Sequence, residues 1–217
     1  MAWQDILDSE IIPGKPPKSS IFFRLRDNLI SAVFRVAGGK WVAIPQNVYL
    51  LSGAGSFPLP AEINSFEVIV QGAGAGCSGA GTLVAGGGTS FTYNGVTITG
   101  NGAPAGGSAG AGGTASGGEI NVTGQRGFLI GGGGGWCKGG DSPFGFGFGG
   151  FNARTPGLGF GAGAAFQGPD QAGGAGGHSR RRYVVATGVT SATYSVGAGG
   201  VGSNGANGAP GVIIIRY

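Results

Sequence analysis

A chain of 217 residues allows one or two modest domains. Its 10% of charged residues and net charge of only +4 exclude a broad basic face for nucleic acid. Its 53 glycines follow no three-residue period and come with only 11 prolines, which excludes collagen, while 13 Phe, 5 Tyr and 3 Trp argue against plain disorder.

The first ten residues are acidic and polar, without the basic start and apolar run of a signal peptide. No apolar stretch approaches the roughly 20 residues that cross a bilayer. Synthesis in a cytoplasm without membrane insertion is the expectation. Pro13, Pro16 and Pro17 predict an extended arm, and Phe22, Leu25, Leu29 and Val33 recur at helical spacing across residues 21–34. Residues 41–44 and 47–51 read as short strands. Residues 1–55 therefore form a small module, too poor in core to stand alone, expected to dock on a partner or to pack with copies of itself.

Composition changes after residue 55. Gly14, Gly38, Gly39, Gly53 and Gly55 apart, every glycine lies from Gly72 onward. Residues 57–60 form an extended lead-in, residues 61–64 a turn, and β-branched residues 65–70 a strand. Residues 90–99 read as a hairpin around Asn94-Gly95, the dipeptide that a type I′ turn favours because both central residues need φ > 0. Residues 182–186, 191–196 and 211–217 are strand-like, so strands bracket the glycine body. Such a body is either a flexible linker or a bundle of extended, three-per-turn helices that hydrogen-bond sideways because no side chain keeps them apart. The bracketing strands and embedded rings favour the ordered state. The expected fold is mainly β: an N-terminal docking or oligomerisation module (1–55) and a glycine-rich, β-sandwich-like domain with polyglycine II-type segments (56–217).

The chemical motifs are weak. Gly74, Gly76 and Gly79 spell G-x-G-x-x-G after a strand. A dinucleotide site needs a helix to follow and an acidic residue ~20 positions on. Here more glycines follow and the first acid is Glu119. The run at residues 131–138 lacks the Gly-Lys-Ser/Thr of a phosphate loop. His178 is the sole histidine, so no metal or nucleophilic site is signalled, and Cys77 and Cys137 read as buried or incidental thiols. Arg180-Arg181-Arg182 reads as a solvated turn or salt-bridging patch. The expectation is a non-enzyme with no cofactor, no metal and no nucleic-acid partner.

Residues 135–151 and 158–166 place aromatic rings between glycines. Such rings either plug gaps in a glycine bundle or stand at exposed loop tips, where rigid aromatics give contact area at low entropic cost.

In order along residues 57–217, "FPLPAEINSFEVIVQGAGAGCSG", "GGGTSF", "GGTASGGEINVTGQRG" and "YSVGAGGVGSNGANGAPGVIIIRY" resemble the glycine-rich domain of tailed-bacteriophage tail-fibre and tail-tip proteins. The stretch "ILDSEIIPGKPPKSSIFFRLRDN" is similar to one near the start of small phage virion proteins. The resemblance implies a homo-oligomeric, often trimeric, virion component made in the host cytoplasm and joined to other tail or fibre proteins through its N-terminal module. In the best-known adhesin tips, packed polyglycine helices carry loops that touch the bacterial surface. On that reading Trp136, Phe144, Phe146, Phe148 and Phe151 are the candidate contacts for a surface polysaccharide or an outer-membrane protein. The competing expectation is a purely structural neck, collar, head-fibre or baseplate decoration.

Overall fold

The computed structural model describes residues 34–37, 40–43, 47–77, 82–106, 109–130, 136–150, 154–166, 171–202 and 206–217. The chain divides into two compact units, Met1–Gln46 with Pro60–Ile63, and Asn47–Leu59 with Asn64–Tyr217. In the first unit, β1 (Phe34–Ala37) and β2 (Lys40–Ala43) pair antiparallel. The proline arm lies outside the described residues, as does the helix expected over 21–34, except for Phe34, which opens a strand.

The second unit begins with β3 (Asn47–Leu50), β4 (Ala54–Pro58) and β5 (Ser65–Gln71). Next come β6 (Gly76–Cys77), β7 (Leu83–Val84), β8 (Thr89–Tyr93), β9 (Val96–Gly100), β10 (Ala115–Ser116) and β11 (Ile120–Val122). The aromatic-rich middle holds β12 (Phe128–Ile130), β13 (Trp136–Lys138), β14 (Phe144–Gly147), β15 (Gly149–Gly150), β16 (Arg154–Thr155), β17 (Gly157–Phe160), β18 (Ala165–Phe166) and β19 (Gln171–Ala172). β20 (His178–Val184), β21 (Ser191–Ser195) and β22 (Val212–Arg216) complete it. The described residues are thus mainly β, with no helix among them.

Two antiparallel five-stranded sheets frame this unit. The first runs β11–β20–β5–β22–β3 and the second β10–β9–β8–β21–β4. The strand at 47–50, which sequence reading groups with the N-terminal module, is the edge of the first sheet, with Ile213 opposite Leu50 and Ile215 opposite Val48. The sheets meet across an aromatic cluster. Phe66 of β5 stacks on Tyr183 of β20 at 5.3 Å and meets Tyr93 of β8 edge-on at 5.1 Å. Each such ring pair adds about 0.5–1.5 kcal/mol beyond its buried area. The Tyr93 hydroxyl accepts a hydrogen bond from the Ala186 N–H at 2.7 Å, so its polar end is not stranded. The β8–β9 turn is the one its Asn-Gly pair predicts: Asn94 has φ 47° and Gly95 φ 74°.

Where β5 ends, a layer held mainly by backbone hydrogen bonds begins. The Gly72 and Ala75 N–H groups donate to the carbonyls of Gly177 and Gly174, and those of Gly74 and Cys77 to Ala209 and Ala206. Ala73 donates to Gly87, while Gly76 pairs with Val84. Successive residues of 72–77 therefore address three neighbouring segments in rotation, and a step of three returns to the same neighbour. Segment 172–177 behaves alike, Gly173 and Gly176 donating to Ala164 and Gly161. At its glycines such packing leaves no room for a side chain: a Cβ at Gly74 would fall onto the Ala162 carbonyl. Gln71 joins sheet to layer. It is fully buried, and its Nε2 donates to the Gly176 carbonyl at 2.8 Å.

Candidate functional site

The Phe-Gly-Phe-Gly of β14 and Gly-Leu-Gly-Phe of β17 pair so that Phe144 lies opposite Phe160 and Phe146 opposite Leu158. Phe144 and Phe160 pack down onto Ile69, Val212 and Ile214, on the side of the first sheet away from the aromatic cluster. The Phe144 ring also meets the His178 imidazole at 5.6 Å. One rung further out, Phe146 is 69% exposed and Leu158 49%. Glycines make the hairpin thin: the space for a Cβ at Gly147 is taken by the Gly139 carbonyl. The inner ring pair thus seats the hairpin and the outer pair faces solvent.

The remaining sequence candidates divide similarly. Phe148, just beyond β14, is 50% exposed. Trp136 on β13 is half-buried and meets the exposed Phe128 ring edge-on at 6.3 Å. Phe151 lies outside the described residues. Leu158, not among the five candidates, belongs with Phe146, and the signal for it was its place in a second glycine-alternating tetrapeptide able to pair with the first.

Beside the hairpin lies a cleft of about 420 Å³. Val122, Thr123 and Gln125 form one wall, Asp141, Ser142 and Pro143 the other, and His178 lines it from β20. Serine, histidine and aspartate thus share one cleft, the inventory of a nucleophilic triad. Their hydrogen bonds run elsewhere. Ser142 Oγ donates to the Phe160 carbonyl and accepts from the Phe144 N–H at 3.3 Å. Asp141 pairs with Lys138 and accepts from the Gly147 N–H at 2.9 Å, while its own N–H donates to Gln125 Oε1. His178 Nδ1 is buried without a hydrogen-bond partner among the described residues. Burial, reinforced by the Arg180 charge, holds the imidazole below its ordinary pKa, so it is neutral at pH 7. The Ser142 and Asp141 bonds tie residues 141–142 to Gln125, β13, β14 and β17, and join no nucleophile to a base.

The thiols are equally quiet. Cys77 and Cys137 are both buried, and burial pushes Cys77 up to about 12, so it stays a protonated, non-nucleophilic thiol at neutral pH. Among the described residues no three His, Cys, Asp or Glu side chains gather as metal ligands. No helix among them is long and apolar enough to cross a membrane. Gly76 of the G-x-G lies in β6, which pairs antiparallel with β7, and Gly79 lies outside the described residues. The arginine run lies in the middle of β20 and is neither a turn nor a loop. Comparison with family models and with curated proteins finds no match.

Proposed function

We propose that this chain is a bacteriophage virion protein of the tail fibre or tail tip that binds the host surface without catalysis. The observation that carries the reading is the β14–β17 hairpin: its inner rings are anchored on the first sheet and its outer pair, Phe146 and Leu158, stands in solvent. Exposed rings on a rigid support are the usual anchors of a binding face. The threefold rotation of hydrogen bonds in segments 72–77 and 172–177 fits a polyglycine II-type lattice flanked by a β-sandwich, a support that needs few side chains. The N-terminal module then docks onto other tail or fibre proteins and brings copies together, as a trimer. The ligand is a surface polysaccharide or an outer-membrane protein.

The test is adsorption of phage particles carrying Trp136→Ala, Phe146→Ala and Phe148→Ala together. Loss of the two exposed rings, Phe146 and Phe148, at about 2 kcal/mol each by itself lowers affinity by two to three orders of magnitude. Intact particles with that loss support the reading, and intact particles that adsorb normally overturn it. Antibody labelling of the particle body with none at a distal tip favours a decoration without a receptor.

A further inference from the structure

The arginine run supplies a second feature, remote in character from the aromatic face. Strand alternation parts the three residues. Arg181 points to one side of β20, where its Nη1 donates to the Gly117 carbonyl at 2.9 Å and its guanidinium lies 5.7 Å from the centre of the Tyr183 ring. Arg180 and Arg182 point to the other. There Glu67 of β5 has Arg182 directly opposite it on β20 and Arg216 directly opposite it on β22.

Glu67 does not divide itself evenly. Its Oε1 accepts from Arg180 Nε at 2.6 Å, with Arg180 Nη2 on the same oxygen. Its Oε2 receives only a long bond, 3.4 Å, from Arg216. The Arg182 guanidinium donates to the Ser65 hydroxyl at 3.1 Å and forms no ion pair among the described residues. Three guanidiniums thus surround one carboxylate. Of the two side chains directly opposite the carboxylate, Arg216 is held loosely and Arg182 is left unneutralised. Ser65, Glu67, Arg182, Arg216 and Tyr217 enclose a cleft of about 210 Å³, with a hydroxyl and a phenol beside the two looser guanidiniums.

We propose that this cleft binds a phosphate group. A phosphate can take Arg182 in the forked, two-bond manner that a guanidinium offers, beside Arg216, the other guanidinium that Glu67 does not hold closely. Arg216, weakly held by Glu67, turns to the same ligand. A carboxylate brings one charge and fills less of the site. The guanidiniums are exposed to water and salt, so affinity for a lone phosphate is millimolar and falls as ionic strength rises. The site does not depend on the aromatic hairpin or on the receptor reading.

The experiment titrates the purified chain at low ionic strength with inorganic phosphate, a hexose phosphate and acetate, reading amide shifts of Arg182 and Arg216 by NMR. Inorganic phosphate is expected to bind at least about tenfold more tightly than acetate. Arg182→Gln is expected to weaken phosphate about tenfold, Arg182→Lys to restore part of it, and Arg181→Gln, on the other face, to change nothing. Glu67→Gln is expected to tighten binding by removing the competing carboxylate. Tighter binding of the hexose phosphate assigns the group to a phosphorylated saccharide, and equal binding assigns it to phosphate alone. No saturable shift with phosphate, an equal response to acetate, or equal losses in the Arg181 and Arg182 variants overturns the proposal.

Discussion

At the scale of single residues, His178 shows how burial sets behaviour. Its imidazole lies against Phe144, with Arg180 on its own strand and Asp141 and Gln125 on the cleft walls, and its pKa lies below the ordinary value of about 6.5. In the folded chain the ring resists a proton that the unfolded chain accepts. Its share of stability is therefore full above about pH 6.5 and is lost as pH falls from there through the folded value. The loss approaches, at its steepest, about 1.4 kcal/mol per pH unit. Urea melts at about pH 7.5 and about pH 5 should give a smaller difference for His178→Gln than for the unaltered chain. An unchanged difference would remove burial of this ring as a cause of acid sensitivity.

At the scale of elements, the β14–β17 hairpin divides anchoring from presentation. Phe144→Ala removes a ring packed on Ile69, Val212 and Ile214 and should cost about 2 kcal/mol in a denaturant melt. Phe146→Ala, one rung out in solvent, should stay within about 0.5 kcal/mol. Equal losses would contradict the division. Much of the sheet framework could be read in advance: residues 65–70 and 211–217 are β-branched runs, and Asn94-Gly95 announces its turn. The start of β20 could not be read, because His178 and three arginines carry no apolar alternation. They form a strand because β5 pairs with one side and β11 with the other. The two-residue strands of the glycine body have no side-chain pattern to reveal them. The 420 Å³ cleft was hidden for another reason: residues 122–125, 141–143 and 176–178 come together only through the fold. The arginine cluster needed the register of β5, β20 and β22, since Arg216 and Arg182 are far apart in the chain.

At the scale of the second unit, a conventional sheet pair with an aromatic interior adjoins a layer in which backbone packs on backbone. The two parts should respond differently to the smallest substitution. Gly74→Ala drives a methyl group into the Ala162 carbonyl, and no flexible side chain stands there to yield. A cost of about 3 kcal/mol is expected in denaturant melts. Gly106→Ala, with nothing within 4 Å of the added carbon and no positive φ, should lie within about 0.5 kcal/mol of the parent. Similar values for the two would mean that the layer is loose enough to absorb side chains.

One pairing has a consequence for how the protein is made. β22 lies between β5 and β3, so the two strands synthesised early are joined only through residues 212–216. A nascent chain still tethered to the ribosome can form the β8–β9 hairpin, which is local, but its first sheet stays split until those residues emerge. Until then Ile69, Val68 and Val70 lack the neighbour that covers one edge of their strand, and the glycine segments have no finished platform to settle on. Completion of the first sheet therefore waits on residues 212–216, with long-range closure as its slow step. Chains halted before residue 212 should be captured by chaperones or cleared.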